Sequence, residues 1–226
     1  MTSMLTTIRG GRLGINHAGQ VVAPKGVVLP KTAGVGLQVD AEAPTYPWVD
    51  ILGSIGYDAE AAAFRPPFVT YRNGIKGYQF GLNDVGYIEY HIPHDYAPGT
   101  NLYVHAHWSH IATNVVSGGV TWGFEATYSK GHNQAAFPAT VTVTKVQAAS
   151  TVQYWHMIAE TQLSAAAGAG GLLNTDNIEP DGVILLRVYV SANNMSAATN
   201  PFLHFCDLHM QSTGIGTKQS APDFYT

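Results

Sequence analysis

From Ile75 to Met210 the chain runs as eight short segments, most of them rich in Val, Ile, Tyr, Trp and Thr, separated by Gly, Pro, Asn and Asp. That rhythm excludes most folds. β-Branched and aromatic residues suit a pleated, half-buried surface, and the residues between them are the ones that turn a chain. The segments are Ile75–Phe80, Tyr87–Ile92, Asn101–Ser109, Val120–Tyr128, Thr140–Val146, Val152–Leu163, Val183–Ala192 and Phe202–Met210. Phe68–Arg72 precedes the first of them across Asn73-Gly74, a dipeptide that accepts positive φ at both central positions of a two-residue hairpin turn. No long helical period lies between the segments.

Alternation assigns the faces. Leu102, Val104, Ala106 and Trp108 share one side of their strand, and Tyr103, His105, His107 and Ser109 share the other. Trp122, Phe124, Ala126 and Tyr128 stand opposite Thr121, Gly123, Glu125 and Thr127. Half-buried strands of this kind belong to sheets packed face to face. An immunoglobulin-like sandwich needs only about 100 residues, whereas this chain has 226. The expected class is all-β: an antiparallel two-sheet jelly-roll sandwich of about eight strands with an extended N-terminal arm. The arm is placed at residues 1–48 and the jelly-roll domain at 49–226. A short helix is expected within 47–63, stopped by Pro66-Pro67, and Ser164–Gly182 reads as an Ala/Gly-rich loop.

The arm differs in charge from the body. Residues 1–31 hold Arg9, Arg12, Lys25 and Lys31 and no acidic residue, so a net charge of −4 for the whole chain leaves −8 on the remainder. Gly10-Gly11, Pro24, Pro30, Gly34 and Gly36 break up its apolar runs, so it can pair with an edge strand but cannot build a core. A basic arm on an acidic body points to docking on an acidic partner surface. Ile8, Arg9, Arg12, Leu13, Lys25, Val27 and Lys31 are the expected contacts. Nucleic acid fits poorly, because the segment is sparsely basic and lacks an aromatic to stack on bases.

Charged residues make up only 12% of the chain and hydrophobic ones 46%, where about a quarter charged is ordinary. Such a surface suits a protein packed against copies of itself or a partner. The single cysteine, Cys206, excludes an internal disulfide framework, and its place inside a strand marks it as a buried structural residue. No apolar run reaches the roughly 18 residues of a membrane helix, and Met1–Gly11 lacks the apolar stretch of a secretory signal. Synthesis in the cytosol without a membrane or secretion address is expected.

The ten histidines are the sharpest chemical lead. His105 and His107 leave one strand face together and could share a metal. Gly99-x5-His105-x-His107 is similar to the opening of the first motif of the cupins, metal-binding jelly-roll enzymes. The cupin Glu is missing, since Ile111 and Ala112 occupy its places. Hydrogen-bonded polar residues on a sheet face or subunit interface are therefore expected, with no metal and no cofactor. There is no G-x-S-x-G elbow and no phosphate-binding Gly loop followed by Lys. Asp176, Glu179 and Asp181, beside Pro180 and Gly182, read as turn residues. No enzyme is expected.

Three segments carry a resemblance: His91-Ile-Pro-His-Asp-Tyr with Leu102-Tyr-Val-His-Ala-His-Trp-Ser-His110, then Glu179-Pro-Asp-Gly-Val-Ile-Leu-Leu-Arg187, and Pro201 through Tyr225. They resemble structural proteins of tailed bacteriophage virions, over roughly residues 45–226. The resemblance implies a capsid decoration or cement protein on the exterior of the virion. Its partners would be its own copies, as homotrimers, and the major capsid protein. The alternatives are a tail, head-fibre or adaptor component, and a carbohydrate-binding or cupin-like jelly roll. Trp108, Trp122 and Trp155 are the candidate sugar platforms.

Overall fold

The computed structural model describes residues 46–57 and 64–224, together with the backbone at 7–8, 11–12, 14–15 and 21–22. The chain divides between Pro44 and Thr45 into two compact units. In the first, Thr7–Ile8 pairs with Gly11–Arg12 and Gly14–Ile15 with Val21–Val22, both antiparallel.

The second unit holds ten longer strands: β1 (Trp48–Gly53), β2 (Phe68–Arg72), β3 (Ile75–Gln79), β4 (Val85–His91), β5 (Tyr103–Ser109), β6 (Gly119–Ser129), β7 (Val141–Ala148), β8 (Met157–Gln162), β9 (Val183–Asn193) and β10 (Phe202–Gln211). β6 pairs with β7, β5 with β8, β4 with β9 and β3 with β10, all antiparallel. These nested pairs describe one long hairpin, with limbs β3–β6 and β7–β10. Rolling the hairpin on itself brings β9 against β6 and β10 against β5. The result is a smaller sheet, β7-β6-β9-β4, and a larger one, β8-β5-β10-β3-β2. This is a jelly roll.

The core lies between the sheets and follows the alternation. Leu102, Val104, Ala106 and Trp108 are fully buried, as are Trp122, Phe124 and Ala126, and the Trp108 and Trp122 rings meet at 6.1 Å. Cys206 lies in the same core, and burial pushes its thiol well above the usual range. It is inert for that reason.

Within the 47–63 stretch where a short helix was expected, Trp48–Gly53 form a strand, and 58–63 lie outside the described residues. β1 pairs with the second half of β10, Trp48 opposite Gln211 and Gly53 opposite Cys206, while β3 takes only Phe202 and Leu203. Backbone bonds to an otherwise open strand edge hold 48–53 extended. Trp48, assigned to the arm side from the sequence, opens this strand, and its ring packs against Tyr103 and His209. The strand expected over Val152–Leu163 begins only at Met157, because 151–154 form a turn with Tyr154 at φ 62. In the hairpin turn, Asn73 alone takes the left-handed region, at φ 54. No helix among the described residues is long and apolar enough to cross a membrane.

Candidate functional site

The outward face of the larger sheet carries a layer of histidines and carboxylates. Register builds it. On β5, His105 stands opposite Glu160 of β8 on one side and Asp207 of β10 on the other. All three point away from the core, so one row across three strands reads carboxylate, imidazole, carboxylate. His105 Nε2 lies 2.7 Å from Glu160 Oε2, and its Nδ1 faces Asp207 Oδ2 at 3.5 Å. Along β5, His107 Nε2 lies 2.9 Å from Asp207 Oδ1, while its Nδ1 lies 2.8 Å from His156 Nε2. The Phe205 ring stacks on His107 at 4.0 Å, and His209 packs edge-on to His105 at 4.6 Å. Although these residues face outward, His105, His107 and Asp207 are 6%, 8% and 2% exposed.

Burial and pairing oppose one another here. Desolvation alone would lower the His105 pKa, but hydrogen bonding and attraction from Asp207 and then Glu160 raise it. Desolvation would raise Asp207, yet His105 and His107 hold it well below the usual carboxylate range. His156 and His204 each keep an edge open to solvent; partial desolvation first, and neighbouring imidazoles second, lower both. His204 Nε2 lies 2.8 Å from Ser109 Oγ, whose hydroxyl donates to the Tyr71 oxygen at 2.9 Å.

From the sequence, His204 and Cys206 are neighbours on one strand face. They part company in the fold. A β-bulge between Leu203 and Phe205 inserts one residue, turning His204 outward to Ser109 while Cys206 enters the core.

A second histidine cluster gathers around Asp181. Asp181 Oδ1 receives His94 at 3.1 Å and His91 at 3.3 Å, and its Oδ2 receives His132 at 2.8 Å. Glu179 pairs with Lys130 at 3.0 Å, and Asp176 accepts the Ala167 amide at 3.0 Å. All three acidic residues anchor turns. On the smaller sheet, a groove of about 730 Å³ runs between Leu52, Tyr87, Leu185 and the Glu125–Arg187 ion pair.

Of the expected arm contacts, Ile8 and Arg12 lie in the two-residue strands, while Arg9, Leu13, Lys25, Val27 and Lys31 lie outside the described residues. Among the tryptophans weighed as sugar platforms, Trp108 and Trp122 are sealed in the core and Trp155 is 59% exposed. The partners of His105 and His107, namely Glu160, His156 and Asp207, were not singled out from the sequence. Alternation in Cys206–Met210 places Asp207 and His209 on one face, but only strand pairing shows which face they meet.

No protein-family model matches this sequence, and no curated protein matches it. The fold defines the class as a jelly-roll β-sandwich, and any reading of function must come from the residues themselves.

Proposed function

We propose that this chain is a structural component of an assembled particle, decorating and cementing the exterior of a tailed-bacteriophage capsid. One observation carries the reading. At one margin of the larger sheet, β1, β2 and β3 expose large apolar side chains: Leu52 is 72% open, Ile75 65%, Phe68 54% and Trp48 48%. A chain this poor in charge has few ionic groups to shield such surface from its neighbours. β2 is also the end strand of its sheet among the described residues, and an end strand offers backbone N–H and C=O groups to a strand from another chain. The arm supplies a segment that pairs by its backbone and a positive charge opposite in sign to the body. Many copies joined through such contacts would hold a shell together even where each contact is weak.

Electron microscopy of purified phage particles tests the reading. Density for this chain spread over the whole icosahedral shell is the expected result. Density confined to one vertex would make it a tail or fibre part, and absence from the particle would remove the structural role altogether.

A further inference from the structure

We propose that His105, His107 and Asp207 form a binding site for a divalent transition-metal ion of zinc type, closed within the outer layer of the larger sheet. Their ligand atoms all lie within 4.8 Å of one another, and two imidazoles with one carboxylate are a donor set suited to zinc and its neighbours.

The unbalanced hydrogen bonding of the cluster points the same way. His107 Nε2 and Asp207 Oδ1 approach to 2.9 Å, yet the pair is not aligned as a hydrogen bond, and among the described residues neither buried atom has another partner. Buried polar atoms are rarely left so, because each has given up its hydration without a replacement bond. The outer contacts suggest how the protons are placed. Glu160 can accept only from a protonated His105 Nε2, at 2.7 Å. His156 Nε2 lies 2.8 Å from His107 Nδ1 and can accept a hydrogen bond from it. With those protons on the outer nitrogens, His107 Nε2 turns a bare lone pair toward Asp207 Oδ1, and a cation there would displace the proton that His105 Nδ1 otherwise shares with Asp207. A lone pair and a carboxylate oxygen that meet with no proton between them call for a cation. Glu160 and His156 then act as positioning residues, each holding one ring in the tautomer that ligates. With Asp207 and both histidines sealed from solvent, the ion would pin β10 to β5 and would not meet a substrate. The site lies within one chain, so it stands or falls independently of the assembly reading.

The full-length, untagged chain, stripped with chelator, is titrated with Zn²⁺ by calorimetry. One equivalent is expected to bind and to raise the thermal midpoint, with no such effect from Mg²⁺, which prefers oxygen ligands. His107→Gln and Asp207→Asn should each weaken Zn²⁺ binding by at least about tenfold, while His132→Gln in the Asp181 cluster leaves it unchanged. Co²⁺ should give visible absorption bands that His107→Gln abolishes. Crystals of the wild-type chain soaked in Zn²⁺ give a readout that needs no variant. An anomalous peak between β5 and β10 supports the site. No stoichiometric binding, wild-type affinity retained in both variants, or a peak elsewhere overturns it.

Discussion

Asp181 takes φ 60 in the turn that leads into β9, and its side chain collects His91, His94 and His132. Phe224, near the end of the described chain, packs its ring against His94 at 5.5 Å and His132 at 6.0 Å. One carboxylate therefore ties together the end of β4, the turn after β6 and the turn before β9. Its pKa is lowered first by the His132 hydrogen bond, against some desolvation, and then by His94. A carboxyl whose folded pKa lies below its unfolded value of about 3.9 stabilises the fold above that value. The contribution is lost as pH falls through the folded pKa. Asp181→Asn should therefore lower stability near neutrality. Asn tolerates the left-handed backbone, so the loss reports the charge. The difference between wild type and variant is expected to be present above about pH 4 and to close as pH falls below that. Urea midpoints measured across pH would show this; a gap that stays constant into acid would contradict it.

At the scale of elements, the ends of three strands meet at Gly118. Its carbonyl accepts the Ala149 amide just past β7, and the next carbonyl, Gly119, accepts the Asn194 amide just past β9. Gly118 sits at φ 87, and a Cβ there would overlap the Asn194 carbonyl oxygen. Gly118→Ala should cost more than ~1 kcal/mol, with a fall in Tm of roughly 2–4 °C for each kcal/mol. Gly99→Ala is the matched control, because Gly99 also has positive φ but open space around it. Equal losses for the two would mean that the overlap relaxes away. The strands themselves were legible because each buries one face, and burial writes a period of two into the sequence. β1 was not legible, since Trp48 and Leu52 stand on its exposed side and blur the alternation with Val49 and Ile51. The candidate site was half legible. His105 and His107 share a face by spacing alone, but Glu160 is 55 residues away and joins them only through the pairing of β8 with β5. The bulge in β10 left no signal, because a single inserted residue changes facing without changing composition.

At the scale of the whole molecule, the described core and the N-terminal cluster of basic residues fall in different units. The described core is drawn from the second unit alone, beginning with the partly buried Val49 beside it, and the jelly roll closes with strands that all lie after Thr45. The four basic residues of the first thirty-one positions, by contrast, belong to the first unit. If the arm docks on a partner, removing it should cost binding and leave folding intact. A chain beginning at Thr45 is therefore expected to unfold with the same midpoint as the full chain. It should fail to attach to particles that lack the protein, whereas the full chain attaches. Attachment of the full chain should also weaken as salt rises from about 0.01 to 1 M, where the screening length falls from about 30 to 3 Å. Part of it should persist, since Ile8, Leu13 and Val27 offer contacts that salt does not screen. Co-sedimentation of both chains with such particles, alongside their thermal unfolding, decides the matter. Equal binding would mean that the exposed apolar margin of β1, β2 and β3 carries attachment by itself. A lowered midpoint in the shortened chain would instead make the first unit part of the fold.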